Sequence, residues 1–239
     1  MGPRASAEFV KTIYSIRDSC TEQDLPTVLL ISAPDVPDRT ASIARNSTDI
    51  LRQHVSMGID QLLSLGAEII VVCCVTVHHV FPMLSLNQRA KVLSLIDVVF
   101  ETLVDTDEKF LLLCTRGSAS ADIFTSHPLW HSVADRLVLP SSEDQEKVQS
   151  VIYDIKLHGA SEEHVVSVRE MLEQYRVNAY IAGCTELHLL RSKDPQFARS
   201  ARIMHCIDPL NTIAYLISGT GPSALLDRVS RIISFDRGQ

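Results

Sequence analysis

Six short apolar runs punctuate the chain: TVLLIS (27–32), EIIVVCC (68–74), FLLLC (110–114), RLVLP (136–140), AYIAG (179–183) and RIMHCI (202–207). Runs this continuous and this short predict strands covered on both faces. Between most of them lie stretches with helical spacing. Over 41–65 the apolar positions are Ile43, Ile50, Leu51, Val55, Ile59, Leu62 and Leu63, which predicts a helix, and 143–158 and 162–175 repeat the pattern. Strands alternating with amphipathic helices predict an α/β fold built on mainly parallel sheets.

A faint repeat runs through this pattern. A helix ending in LLSLGAE leads into IIVVCC and then VTVHH, and a later helix ending in EQYRVNA leads into YIAG and then CTELH. Each unit reads helix, turn, strand, cysteine, threonine, histidine, and the two central cysteines, Cys74 and Cys184, stand 110 positions apart. The expected architecture is two similar Rossmann-like domains with an interdomain active-site cleft. One comprises 1–98 plus 208–239, the other 99–207.

Composition then narrows the function. Hydrophobic residues make up 46% of the chain and charged residues 21%, an ordinary globular balance. The net charge is -7 and the 22 basic residues are scattered, which argues against nucleic acid as the main partner. No run reaches the roughly 18 apolar residues of a membrane span, and the opening MGPRASAEFV has no apolar signal core, so no membrane association and a cytoplasmic location are expected. The cysteines at 20, 73, 74, 114, 184 and 206 include no C-x-x-C pair, and reduced thiols are expected. His78 and His79, like His127 and His131, have no carboxylate or cysteine at ligand spacing, so no metal is implied. The GTGPSA segment at 219–224 lacks the dinucleotide-binding pattern and reads as a loop or helix start.

Ligands of parallel α/β sheets bind beyond the carboxyl ends of the strands, where Cys74 and Cys184 both fall. Each also precedes a predicted helix, whose amides would favour a thiolate. Cys73, by strand alternation, faces the other way into packing, and Cys20, Cys114 and Cys206 read as structural. Two matched thiols suit the inversion of a carbon centre, which needs a base on one face and an acid on the other. No cofactor is required for such a reaction.

The residues around these cysteines resemble a known family. Cys74-Val75-Thr76-Val77-His78 is similar to the C-N-T-x-H motif of aspartate/glutamate racemases, and Gly183-Cys184-Thr185-Glu186-Leu187 matches their G-C-T-E-L. Met1-Gly2-Pro3 with Ala5-Ser6 resembles M-G-P-x-A-S, and Pro37-Asp38-Arg39-Thr40 matches the P-D-R-T of the aspartate branch. Thr115 to Ser118, Tyr153 to Lys156 and Ile207 to Pro209 resemble three further segments in order. The resemblance implies a cofactor-independent amino-acid racemase, acting on aspartate or glutamate as a homodimer. It implies Cys74 and Cys184 as the acid/base pair, Thr76, Ser118 and Thr185 as α-carboxylate donors, and Arg39 and Lys156 as holders of the side-chain carboxylate. His78, Glu186 and His188 flank the thiols and would tune them.

Two departures modify this expectation. Val75 replaces the family's asparagine, which predicts weak activity on aspartate, with Val75→Asn expected to raise it. The family's apolar strand before M-G-P has no counterpart here, so the first half-domain is expected to lack its first strand. A related isomerase or decarboxylase acting on another carboxylic acid, or a ligand-binding member of the same fold, is the alternative.

Overall fold

The structure is a computed structural model and describes residues 1–16, 21–104, 106–193 and 205–218. Helix α1 (Pro3–Ser15) opens the chain, followed by α2 (Arg39–Ala44), α3 (Asp49–Ser64) and strand β1 (Ile70–Val71). A 3-10 segment (Thr76–Met83) and α4 (Leu86–Arg89) lead to β2 (Val92–Leu93), α5 (Leu95–Val104) and β3 (Phe110–Cys114). Next come α6 (Arg116–Ser120), α7 (Trp130–Val133), β4 (Leu137–Val138), α8 (Ser142–His158) and α9 (Glu162–Tyr175). Strand β5 (Ala179–Gly183), a second 3-10 segment (Thr185–Ser192), β6 (His205–Ile207) and helical residues 209–218 complete it. The segment 219–224 and Cys20 lie outside the described residues. No helix among them is long and apolar enough to cross a membrane.

Every strand pairing among the described residues is parallel, in a β1-β2 sheet and a β4-β3-β5-β6 sheet, as expected for an α/β fold. All residues of β3 and β5 are buried, which is why their sequences are apolar without alternation. One face of that sheet, through Leu111, Leu113, Tyr180 and Ala182, packs on Val148, Ile152 and Ile155 of α8 and Val165, Val168 and Leu172 of α9. The other face, through Phe110, Leu112 and Ile181, shares a core with α1, α5 and the helical residues 209–218. The smaller sheet divides likewise: Ile70, Val72 and Val92 join a core with α3, while Ile69, Val71 and Leu93 face the core that both sheets share. That shared core joins the two halves.

Two sequence expectations change in three dimensions. The stretch 41–65 is two helices, because Asn46 takes a left-handed conformation (φ 51°) between α2 and α3. Asparagine tolerates that conformation better than most residues. The run 27–32 pairs with no strand among the described residues, and Leu29 and Leu30 are 43% and 50% exposed. An apolar run becomes a strand only where a neighbouring edge takes up its backbone groups, and among the described residues β1 is hydrogen-bonded only to β2.

Packing in the larger sheet is tight where Gly183 pairs with Cys114. A Cβ at position 183 would lie 2.8 Å from the Cys114 Cβ and 2.9 Å from the Leu113 carbonyl oxygen, so only glycine fits. Gly183→Ala should therefore cost about 1–3 kcal/mol through overpacking. The expected reading is a lower urea midpoint with an unchanged m-value.

Candidate active site

The ends of the parallel strands gather the groups that carry chemistry. Beyond β3, Thr115 caps α6 by accepting a hydrogen bond from the Ser118 amide at 3.1 Å. Its hydroxyl lies 2.9 Å from that of Thr76 and 3.0 Å from that of Ser118, and Thr76 and Ser118 are 3.0 Å apart. Three buried hydroxyls thus form a closed triangle. Each hydroxyl has one proton to donate, so three mutual bonds use all of them. Thr185, beyond β5, behaves differently: its hydroxyl donates across to the Cys73 carbonyl at 3.2 Å.

The two thiols sit in different electrostatic company. Cys184 donates to Glu186 Oε2 at 2.9 Å. Burial first, and Glu186 next, push the Cys184 thiol well above its ordinary pKa, against a lowering pull from Lys156. The expectation that helix amides would favour a thiolate at both cysteines is therefore overturned at Cys184, where desolvation and a neighbouring carboxylate dominate. Cys74 instead has the Arg39 guanidinium as its electrostatic neighbour, a guanidinium that donates to the Val36 and Pro37 carbonyls at 3.4 and 3.3 Å. Burial works against the Arg39 charge, but Cys74, Asp38 and Glu186 outweigh it and raise the guanidinium pKa. Lys156 is likewise raised against its burial by Cys184, Glu186 and Tyr153. Both cations remain charged where they stand.

Asp38 sets these cations in place. Its Oδ1 caps α2 by accepting from the Ala41 amide at 2.9 Å, and its Oδ2 accepts from the Tyr153 hydroxyl at 2.8 Å. Lys156 lies 3.9 Å from Asp38 and 4.2 Å from the Tyr153 ring centroid, a cation–π contact. Burial opposes the Asp38 charge, but the Ala41 amide, Tyr153, Lys156 and Arg39 together hold its carboxyl below the usual range. One carboxylate thereby aligns α2, which carries Arg39, with α8, which carries Lys156. Arg39, Lys156 and Glu186 then line a cavity of about 120 Å³ with Pro34 and the Met1 to Arg4 turn.

The flanking histidines hold the backbone. His78 accepts from the Leu95 amide through Nε2 at 2.9 Å, so Nδ1 carries the proton and faces the carbonyls of Cys74 and Val75 at 3.1 and 3.0 Å. Burial lowers its pKa to about 4, so the ring is neutral at physiological pH and fixes the Cys74 turn to α5. His188 is fully buried, 2.5 Å from Asp208 and 2.9 Å from the Thr12 hydroxyl, and ties the segment after Cys184 to α1 and to the residue that follows β6. A larger groove of about 800 Å³ is lined by His78, His127 and Asp97 but by neither cysteine, Arg39, Lys156 nor Glu186. The smaller cavity, which like the groove is lined by neither cysteine, is distinguished by the convergence of Arg39, Lys156 and Glu186 on it.

Several sequence readings look different once placed. Cys73 packs against the shared core and Cys74 against the α3 core, on opposite faces. Val75 is 1% exposed within the shared core. Its side chain belongs to packing, so its departure from the family motif does not subtract a group from the cavity. Sequence reading missed Thr115, Asp38 and Tyr153 as individual contributors, although all three lie in segments that carried the resemblance.

A family model described as Asp/Glu/Hydantoin racemase matches residues 1–214. The chain belongs to this racemase family. Among solved structures, Picrophilus torridus aspartate racemase is similar with a TM-score of 0.76 and 23% identity, over 96% of this chain and 90% of that one. A putative Asp/Glu racemase from Yersinia pestis superposes with a TM-score of 0.63 at 22% identity, covering 95% and 94%. An aspartate racemase homologue from Pyrococcus horikoshii gives 0.61 at 19% identity, covering 95% of each chain. These likenesses establish the two-domain racemase fold.

Helices α2 and α6 touch at Gly117, where a Cβ would come within 2.8 Å of both the Thr40 Cα and its hydroxyl oxygen. Gly117→Ala must push α2 outward and carry Arg39 with it. A fall of about 1–3 kcal/mol in stability is expected, together with altered alkylation of Cys74. Denaturant titration and peptide mass spectrometry check the two effects.

Proposed function

We propose that the protein racemises a small amino acid bearing a second carboxylate, aspartate or glutamate, without a cofactor. What supports this most directly is a Cys184 thiol held by Glu186 and a Cys74 sulfur coupled electrostatically to Arg39, with Glu186, Arg39 and Lys156 lining one cavity. In the forward direction a thiolate takes the Cα proton and the opposing thiol returns one to the other face. One proton leaves and one arrives, so the substrate is inverted with no net change. The two sulfurs exchange roles.

Removing a Cα proton next to a carboxylate builds negative charge that must be met by fixed donors. Arg39 and Lys156 supply cations, with Arg39 suited to bidentate pairing with the side-chain carboxylate. Thr76, Ser118 and Thr185 serve the α-carboxylate. The hydroxyl triangle opens on binding, since a carboxylate offers acceptors in exchange for bonds the hydroxyls make to one another. Because Val75 lies in the core, it gives no support to a less polar substrate.

Incubation with each enantiomer of aspartate and glutamate in deuterated water, followed by proton NMR, tests the reading. Loss of the Cα signal from both enantiomers of at least one of these amino acids is expected. Cys74→Ala and Cys184→Ala should each lower the rate by about a hundredfold or more, the scale of a lost acid/base group, while Cys73→Ala should retain it. No exchange with any of the four compounds would sink the proposal. Arg39→Ala should weaken use of aspartate about tenfold to a hundredfold relative to alanine, the scale of a lost charge-assisted hydrogen bond. Equal effects on the two substrates would place the side-chain carboxylate elsewhere.

A further inference from the structure

Arg4 lines the small cavity together with Arg39, Lys156 and Glu186. It fills the position that the M-G-P-x-A-S resemblance leaves open, in the first turn of α1. Its guanidinium reaches the far end of α8. There Nη2 donates to the Leu157 carbonyl at 3.1 Å, and Nη1 lies where a Cβ at Gly159 would come within 3.3 Å. The last carbonyls of a helix carry the negative end of its dipole, which favours a cation at this spot. Charge around the cavity is matched except here. Arg39 interacts with Asp38 and Glu186, while Lys156 stands 3.9 Å from Asp38 and also interacts with Glu186. Two cations thus meet two carboxylates. Arg4 makes no ion pair among the described residues, and its one side-chain hydrogen bond goes to a neutral carbonyl. A guanidinium has five N–H donors, so most of them remain for a ligand. The lining groups also differ in depth. Glu186, bonded to the Cys184 thiol, is buried; Arg39 and Lys156 are half-buried; Arg4 is exposed at the mouth.

We propose that Arg4 is a specificity-determining residue that favours the longer acidic side chain, that of glutamate, over that of aspartate. The inference rests on the racemase reading and narrows its substrate. With Cα at the buried sulfurs, a side chain extends outward past Arg39 and Lys156, and its reach decides whether it meets Arg4. The glutamate carboxylate draws Arg4 from the Leu157 carbonyl and so replaces a neutral acceptor with a charged one. Charge-assisted hydrogen bonds are roughly twice as strong as neutral ones. Aspartate, one methylene shorter, leaves Arg4 on Leu157 and is held by Arg39 and Lys156 alone. Arg4 moves no proton and stands at the mouth, so its effect falls on KM more than on kcat.

Succinate and glutarate, dicarboxylates that differ by the same methylene, probe the contact without turnover. Isothermal titration of the unmodified protein should show glutarate binding about threefold to fivefold more tightly than succinate, the scale of one exposed ion pair. Arg4→Ala should remove the difference, and Arg4→Lys, which keeps the charge, should restore part of it. In Cα exchange, Arg4→Ala should raise KM for glutamate about threefold to fivefold relative to KM for aspartate, with a smaller change in kcat. An arginine that served only to tie α1 to α8 would, when removed, weaken both ligands alike. Equal losses for succinate and glutarate, glutarate binding no tighter than succinate in the unmodified protein, or binding of neither would overturn the assignment. The expected binding pattern without any Cα exchange would support the contact and reject the racemase reading. Cα exchange whose glutamate-to-aspartate preference is untouched by Arg4→Ala would keep that reading and reject the role of Arg4.

Discussion

The contact of Gly183 with Cys114 is the constraint on which the rest of the site depends. Strands β3 and β5 run in parallel register from Phe110 opposite Ala179 to Cys114 opposite Gly183, and both end at that pair. Because the strands finish level, the residues that follow, Thr115 and Cys184, leave the sheet side by side. Any larger residue at 183 would spread the strands where they must be closest. The glycine of the Gly183-Cys184-Thr185 motif is thus explained by steric contact, independent of any role in binding.

Charge in the site is unevenly distributed, and that matters more than its sum. Arg39 and Lys156 both interact with Glu186, and each stands by a different sulfur. Had Cys184 only Lys156 for company, the two thiols would be near equivalents, as the sequence repeat suggests. The carboxylate two residues on breaks that equivalence by offering an acceptor that only a protonated sulfur can satisfy. A repeat gives two similar halves their geometry; residues outside its shared pattern give each cysteine its charged neighbours.

The parts of the fold that were legible in the sequence are those where one physical signal dominates. Strands β3 and β5 are buried on both faces, so they are apolar throughout, and α9 spans the same residues, 162–175, as its apolar spacing indicates. Other features depend on distant partners that periodicity does not encode. The run 27–32 has strand composition but pairs with no strand among the described residues. The break at Asn46 is a single backbone choice inside a helical pattern. At the site, Cys74, Cys184, Arg39, Lys156 and Glu186 were found through motifs, and the structure gathers the last three around one cavity, with the Cys184 thiol bonded to Glu186. Thr115 escaped because a threonine after a strand is usually only a cap. It is a cap here too, and its second role appears only when Thr76 arrives from the other sheet.

The bonds between the two sheets' loops are concentrated at the site itself. The Thr76 hydroxyl meets Thr115 and Ser118, the Thr185 hydroxyl reaches the Cys73 carbonyl, and the Tyr153 hydroxyl reaches Asp38. Each such bond contributes on the order of 1 kcal/mol, less than the shared apolar core beneath them. The core therefore sets how the halves are joined, and the polar bonds set the fine spacing above it. A ligand that replaces hydroxyl–hydroxyl bonds with carboxylate contacts changes that upper layer without disturbing the lower one.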